Sequence, residues 1–182
     1  MKGMVLGLSL VSLIAASGSV MSKEAKLALK LTAIERVTTT EEGGDELYFS
    51  ITEYSSKMHP RHYVIPAFPT HWLSDHLNGV KDVVLWEKKL QETEAVTVLV
   101  SLVESDVPPW NVDDLIGTVK LKAMNDGEKV DSQWRIPNRE YSEKLSGSES
   151  SFVLSGDGGE YHIALGLNAD IPLKQQADER ED

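Results

Sequence analysis

The stretch Val96–Lys122, VTVLVSLVESDVPPWNVDDLIGTVKLK, decides the fold. Val96, Val98, Val100 and Leu102 alternate with Thr97, Leu99, Ser101 and Val103, and β-branched residues dominate, the pattern of a buried or nearly buried strand. An acidic loop follows, with Glu104, Asp106, Asp113 and Asp114 placed around Pro108, Pro109 and Trp110. The chain leaves through Leu115-Ile116-Gly117 into Thr118–Lys122, where Val119 and Leu121 alternate with polar residues as in a half-buried strand. Carboxylates are therefore crowded on a loop whose two flanks the core must hold.

The same period of two recurs on both sides. Ala25–Val37 alternates Leu27, Leu29, Leu31 and Ala33 with Lys26, Lys30 and Thr32, which reads as a first strand, although Ala, Lys and Leu would also suit a helix over Lys23–Leu31. Thr38–Asp45 is polar, with a Gly43-Gly44 pair that permits a tight turn. Glu46–Glu53 places Leu47, Phe49 and Ile51 on one face. Ser55–Pro60 reads as a turn, and His62–Pro66 as a short strand at best, because prolines fence it. Thr70–Gly79 suits a short helix or a long loop, and Val80–Leu90 a strand running to the surface. Asn125-Asp126-Gly127 marks a turn before a strand at Val130–Ile136. Arg139–Ser151 reads as an exposed Ser-rich loop, and Phe152–Leu154 with Tyr161–Leu167 as a closing hairpin around Gly156–Gly159. About eight short strands with close turn signals and little helix predict an all-β fold, an antiparallel β-sandwich.

Composition narrows the function. The chain of 182 residues fits one domain with appendages. A formal net charge of -11 argues against nucleic acid, whose affinity comes from Lys and Arg neutralising phosphates. It also opposes unaided docking on anionic lipid, an objection that a bound divalent cation would reverse locally. With no cysteine, disulfides, thiolate nucleophiles and Cys-ligated metals are impossible. Lys2, an apolar run and then Ala15–Ser19 form the three zones of a secretory signal peptide, so a secreted or periplasmic protein is expected, with an uncleaved N-terminal anchor as the alternative. The predicted organisation is a signal peptide over 1–21, a sandwich domain over 22–168 and a disordered polar tail over 169–182.

At the acidic loops the residues resemble a known family. Glu104-Ser-Asp106, then Asp113-Asp114, then Leu115-Ile116-Gly117 ahead of an alternating strand is similar to the third calcium loop of C2 domains. Glu41-Glu42-Gly43-Gly44-Asp45-Glu46-Leu47-Tyr48 looks like the first loop. Glu104 stands where the family has Asp, Pro108-Pro109 lengthens the loop, and the usual Asp-Pro-Tyr has become Asp45-Glu46-Leu47-Tyr48. The resemblance implies a C2-like sandwich over Lys26–Leu167. It also implies a non-enzymatic module that binds calcium and a membrane or protein partner.

The chemistry of the residues is compatible with that implication. Calcium takes about six to eight oxygen ligands, and carboxylates crowded together repel one another unless a cation lies between them. The candidate metal ligands are Glu41, Glu42, Asp45 and Glu46 from one loop and Glu104, Asp106, Asp113 and Asp114 from the other, with Ca2+ as the ion. Solvated acids on polar loops are the alternative in a chain with 29 acidic residues. Pro108-Pro109-Trp110 is a candidate membrane-contacting tip, or packs on its own sandwich end. His59, His62, His71 and His76 offer zinc ligands but lack a His-Glu-x-x-His arrangement. Neither Gly-x-Ser-x-Gly nor a phosphate loop occurs. A carbohydrate-binding or carbohydrate-active sandwich is the second reading, resting on Trp72, Trp86, Trp110 and Trp134 and on paired acids.

Overall fold

The computed structural model describes residues 23–106, 112–137 and 145–171. The predicted signal peptide, the Pro108-Pro109-Trp110 tip and most of the polar tail lie outside those residues. The described strands are β1 (Ala25–Thr38), β2 (Glu46–Ser55), β3 (Met58–Ile65), β4 (Trp72–Leu73), β5 (Val83–Leu90) and β6 (Ala95–Glu104). They continue as β7 (Asp114–Asn125), β8 (Val130–Arg135), β9 (Leu145–Ser146), β10 (Glu149–Gly156) and β11 (Gly159–Asp170). Ser74–Gly79 forms a 3-10 turn, and no helix among the described residues is long and apolar enough to cross a membrane.

Two antiparallel sheets result. One has the order β10-β11-β1-β5; the other has β3-β2-β6-β7-β8-β9, with β4 also paired to β2. The protein is an all-β antiparallel sandwich. Its core is built from the alternating rows anticipated from sequence. Leu27, Leu29 and Leu31 of β1 face Leu47, Phe49 and Ile51 of β2 and Val96, Val98, Val100 and Leu102 of β6, all buried. Burying a side chain of this size is worth roughly 1.5–3 kcal/mol, and the period of two delivers it on one face only.

Four details differ from the sequence reading. The expected turn at Ser55–Pro60 is much shorter, because β3 starts at Met58 and runs through Pro60. That proline is tolerated because β3 is the edge of its sheet and because His59 and Pro60 together oppose Tyr54, a bulge between the Glu53 and Ser55 pairings. Thr70–Gly79 is neither a full helix nor a plain loop, since Trp72 and Leu73 pair with Leu47 and Glu46 before the 3-10 turn. The last hairpin starts at Glu149, within the stretch read as an exposed loop, and pairs with β11 through Gly166. Its partner β11 reaches Asp170, two residues beyond the expected domain limit at 168.

Gly117 lies at a β-bulge. Leu102 pairs with Gly117 while Val103 pairs with Leu115, so Ile116 is the extra residue. A Cβ on Gly117 would stand 3.0 Å from the Cβ of Leu154. A Cβ on Gly156 would stand 2.5 Å from the carbonyl oxygen of Leu115. These two glycines let β7 of one sheet close against β10 of the other. The far end of the sandwich is tied by Asn125, fully buried, whose amide donates to the carbonyls of Lys23 and Leu90 and whose Oδ1 accepts Gly127 N–H.

Candidate acidic cation site

The inner rows of the larger sheet do not stop where the apolar residues stop. On β6 the row Val96, Val98, Val100, Leu102 continues to Glu104, which is only 2% exposed. On β2 the row Ile51, Phe49, Leu47 continues backwards to Asp45, which is fully buried. Both carboxylates thus lie at the end of the core, Glu104 on β6 itself and Asp45 one residue before β2, in line with the inner rows.

The two acids meet different surroundings. Asp45 is satisfied by four donors. Thr40 N–H and Thr40 Oγ1–H donate to Oδ1 at 2.9 and 2.8 Å. Glu41 N–H adds a third bond to Oδ1, and Tyr161 Oη–H donates to Oδ2 at 2.5 Å. Its own N–H donates to Ser74 Oγ at 2.8 Å. Asp45 therefore closes the Thr39–Gly44 turn, where Gly44 takes φ +88°, and fastens that turn to β11 and to the 3-10 turn.

Glu104 has no such support. Its Oε2 is buried without a hydrogen-bond partner among the described residues, and so is Oδ2 of Asp106. One carboxylate oxygen from each of Glu41, Glu104 and Asp106 lies within 4.8 Å of the others. Burial pushes the Glu104 carboxyl up to about 8, and the neighbouring charges of Asp106, Glu41, Asp45 and Asp114 add to that. Asp114 is its register partner across the strand pair and is also raised, by desolvation and by Asp157, Asp106 and Asp113.

The remaining candidates support this geometry or stand apart from it. Asp113 accepts Asp106 N–H at 3.1 Å on Oδ1 and Tyr48 Oη–H at 2.6 Å on Oδ2, so it clasps the chain after β6 to the outer face of β2. Burial and that bond to Asp113 raise the Tyr48 hydroxyl. Glu46 turns to His71, 3.8 Å from Nδ1, while its carbonyl accepts Ser105 N–H at 2.8 Å. Glu42 is exposed in the turn. Of the eight sequence candidates, the fold brings three carboxylates to one point. It uses Asp45 and Asp113 to hold their backbones. Sequence reasoning did not identify Tyr161 or Ser74 as parts of this end, and it quoted Tyr48 only as the last residue of the stretch resembling a first calcium loop, with no role. Their signal, a hydroxyl at a strand or turn position, is too common to single them out.

The donor set is all oxygen. Glu41, Glu104 and Asp106 present hard carboxylate ligands, two of them with buried oxygens unpartnered among the described residues, and no described His joins them. That suits a hard divalent cation such as calcium, with water or backbone carbonyls completing about six to eight ligands. The histidines considered for zinc lie elsewhere: His62 meets Thr52 on β3, and His71 lies between the rings of Tyr48 and Phe68. The described tryptophans do not form a surface row. Trp86 and Trp134 are buried, and Trp72 packs on the core edge-on to Phe49 at 5.9 Å.

Fold and site together define an antiparallel β-sandwich with a cluster of carboxylates at one end. No family model matches the chain, and no curated protein matches it. Among solved structures, one described as "Structure of a C2 domain" is similar at 12% identity, over 80% of this chain and 98% of that one, with a TM-score of 0.29. The fold class rests on this chain's own two sheets.

Proposed function

We propose that this protein is a non-catalytic, C2-like binding module that takes a divalent cation, calcium by its ligand chemistry, between Glu104, Asp106 and Glu41. The observation that carries the reading is the pair of buried oxygens, Glu104 Oε2 and Asp106 Oδ2, that have no hydrogen-bond partner among the described residues and lie beside a third carboxylate. Buried polar atoms are ordinarily paired, and a carboxylate left orphaned next to others invites a cation. Asp45 and Asp113 preorganise the site without being spent as ligands.

The partner is a membrane or protein surface met at the same end. Phe68, 82% exposed, lies 6.5 Å ring to ring from His71, which is 3.8 Å from Glu46, and Val112, 80% exposed, directly precedes Asp113. A bound cation would offset the local negative charge that otherwise repels an anionic surface. The basic, apolar and small-residue zones at the N-terminus support export, so the setting is the secreted or periplasmic space.

Thermal melting of the chain with calcium, magnesium or excess chelator tests the cation. Calcium should raise Tm in a concentration-dependent way, as RT ln(1 + [L]/Kd) requires, amounting to about 2.7 kcal/mol at a hundredfold excess over Kd. Glu104→Gln and Asp106→Asn should each abolish the rise. Identical melting in calcium and in chelator at millimolar concentrations would end the proposal.

A further inference from the structure

The outer face of the larger sheet is the reverse of its acidic end. At its centre the outward positions are Ser50, Thr52 and Tyr54 on β2 and Thr97, Leu99 and Ser101 on β6. They continue as Thr118, Lys120 and Lys122 on β7 and Gln133 and Arg135 on β8. None is acidic, in a protein with 29 acidic residues and a net charge of -11. The next outward position on β8, Asp131, is neutralised by Lys129 at 2.8 Å.

Lys120 and Arg135 are direct cross-strand partners, and Lys122 lies two residues along β7 from Lys120. Like charges directly opposite each other on a sheet are destabilising. Among the described residues none of the three makes an ion pair, although seven pairs form elsewhere. Tyr54, 45% exposed, borders the cations from across Thr97. The result is a cationic patch bordered by an aromatic ring.

We infer that this face, centred on Lys120, Lys122 and Arg135, docks an extended acidic polypeptide segment. Charge complementarity argues for an anionic partner, and spacing argues for its form. Alternate residues of an extended chain stand about 6.6–6.8 Å apart, which is the separation of Lys120 and Lys122 along β7. Carboxylates at every second position of such a segment therefore meet Lys120 and Lys122 in register, while Arg135 reaches the same anion as Lys120 from the neighbouring strand. Arg135 adds the fork geometry that favours a carboxylate. This surface is separate from the cation site, on the face rather than the end of the sandwich.

The test is fluorescence anisotropy of a short labelled peptide with glutamate at alternate positions, against the full chain in excess chelator so that the cation site is silent. Saturable binding is expected, weakened at least tenfold in Lys120→Gln/Lys122→Gln/Arg135→Gln. The same loss is expected between about 0.1 M and about 1 M salt, over which the screening length falls from ~10 Å to ~3 Å. The matched glutamine peptide should not bind. Circular dichroism confirms that the triple variant is folded, and the single Arg135→Gln variant gives an intermediate loss. Absence of saturable binding, equal binding by the triple variant, or binding to vesicles of anionic phospholipid but not to the peptide would each overturn the inference.

Discussion

Glu53 and Glu104 are the same residue type on adjacent strands of one sheet, both on the inner row and both 2% exposed. They lie at opposite ends of the core. Glu53 receives Lys88 Nζ at 2.5 Å on one oxygen and Trp86 Nε1–H at 2.9 Å on the other, with Arg61 3.7 Å away. Burial raises its carboxyl, but the Lys88 and Trp86 bonds and the two cations outweigh burial and bring it below the usual range. At Glu104 burial acts in the same direction and the neighbours are anions, so the carboxyl rises to about 8. Burial alone therefore does not tell a structural carboxylate from a candidate binding one. What separates them is whether the fold supplies donors to the oxygens.

Removing the partners of Glu53 should have the largest effect. Lys88→Ala leaves a buried carboxylate with one remaining donor, and breaking a buried pair this way costs about 3–5 kcal/mol. Urea unfolding at pH 7 reads it directly. A loss below roughly 1 kcal/mol would mean that Glu53 is as poorly supported as Glu104, and the contrast between the two ends would fail.

The two glutamates should also titrate with opposite signs. Glu53, lowered in the folded state, contributes stability that is present above its unfolded value near 4.5 and is lost as pH falls through its folded value. Glu104, raised in the folded state, contributes stability that is present below about 4.5 and is lost as pH rises toward about 8. In chelator the wild-type protein should therefore weaken between pH 5 and pH 8, by about 2–4 kcal/mol. Glu104→Gln should flatten that slope. Calcium should flatten it as well, by holding the ionised form. A slope unchanged by Glu104→Gln would assign the titration to another group.

A smaller effect is expected at Gly117, where an added Cβ meets Leu154. Gly117→Ala should cost about 1–3 kcal/mol by overpacking. Because the bulge at Ile116 lies next to the Glu104–Asp114 pairing and far from Glu53, the substitution should shift the pH 5–8 limb and leave the acid limb unaltered. Equal disturbance of both limbs would show that the two ends are coupled through the core.

Much of this was legible beforehand. The rows Leu27-Leu29-Leu31, Leu47-Phe49-Ile51 and Val96-Val98-Val100-Leu102 announce a two-layer β fold without any knowledge of pairing, because a period of two can bury only one face. The structure carries the same rows one step further than the sequence reading did, placing Glu53 after Ile51 and Glu104, read from sequence as a loop residue, after Leu102 on the inner side. That step turns two ordinary acids into buried ones.

What the chain alone determined is the class of fold and the crowding of acids around one loop, since both follow from local alternation and composition. Only the tertiary structure decided which acids converge. Glu41 stands 63 positions before Glu104 in the sequence, and the two meet only when β2 pairs with β6. It also decided that Asp45, which reads as a ligand, is occupied by Thr40, Glu41 and Tyr161, and that Glu53 finds Lys88 and Trp86. Thr40 and Glu41 belong to the same turn as Asp45, but Tyr161, Lys88 and Trp86 come from remote strands. A carboxylate's role is set by what packs against it, and packing between strands of different sheets is written in no local stretch of sequence.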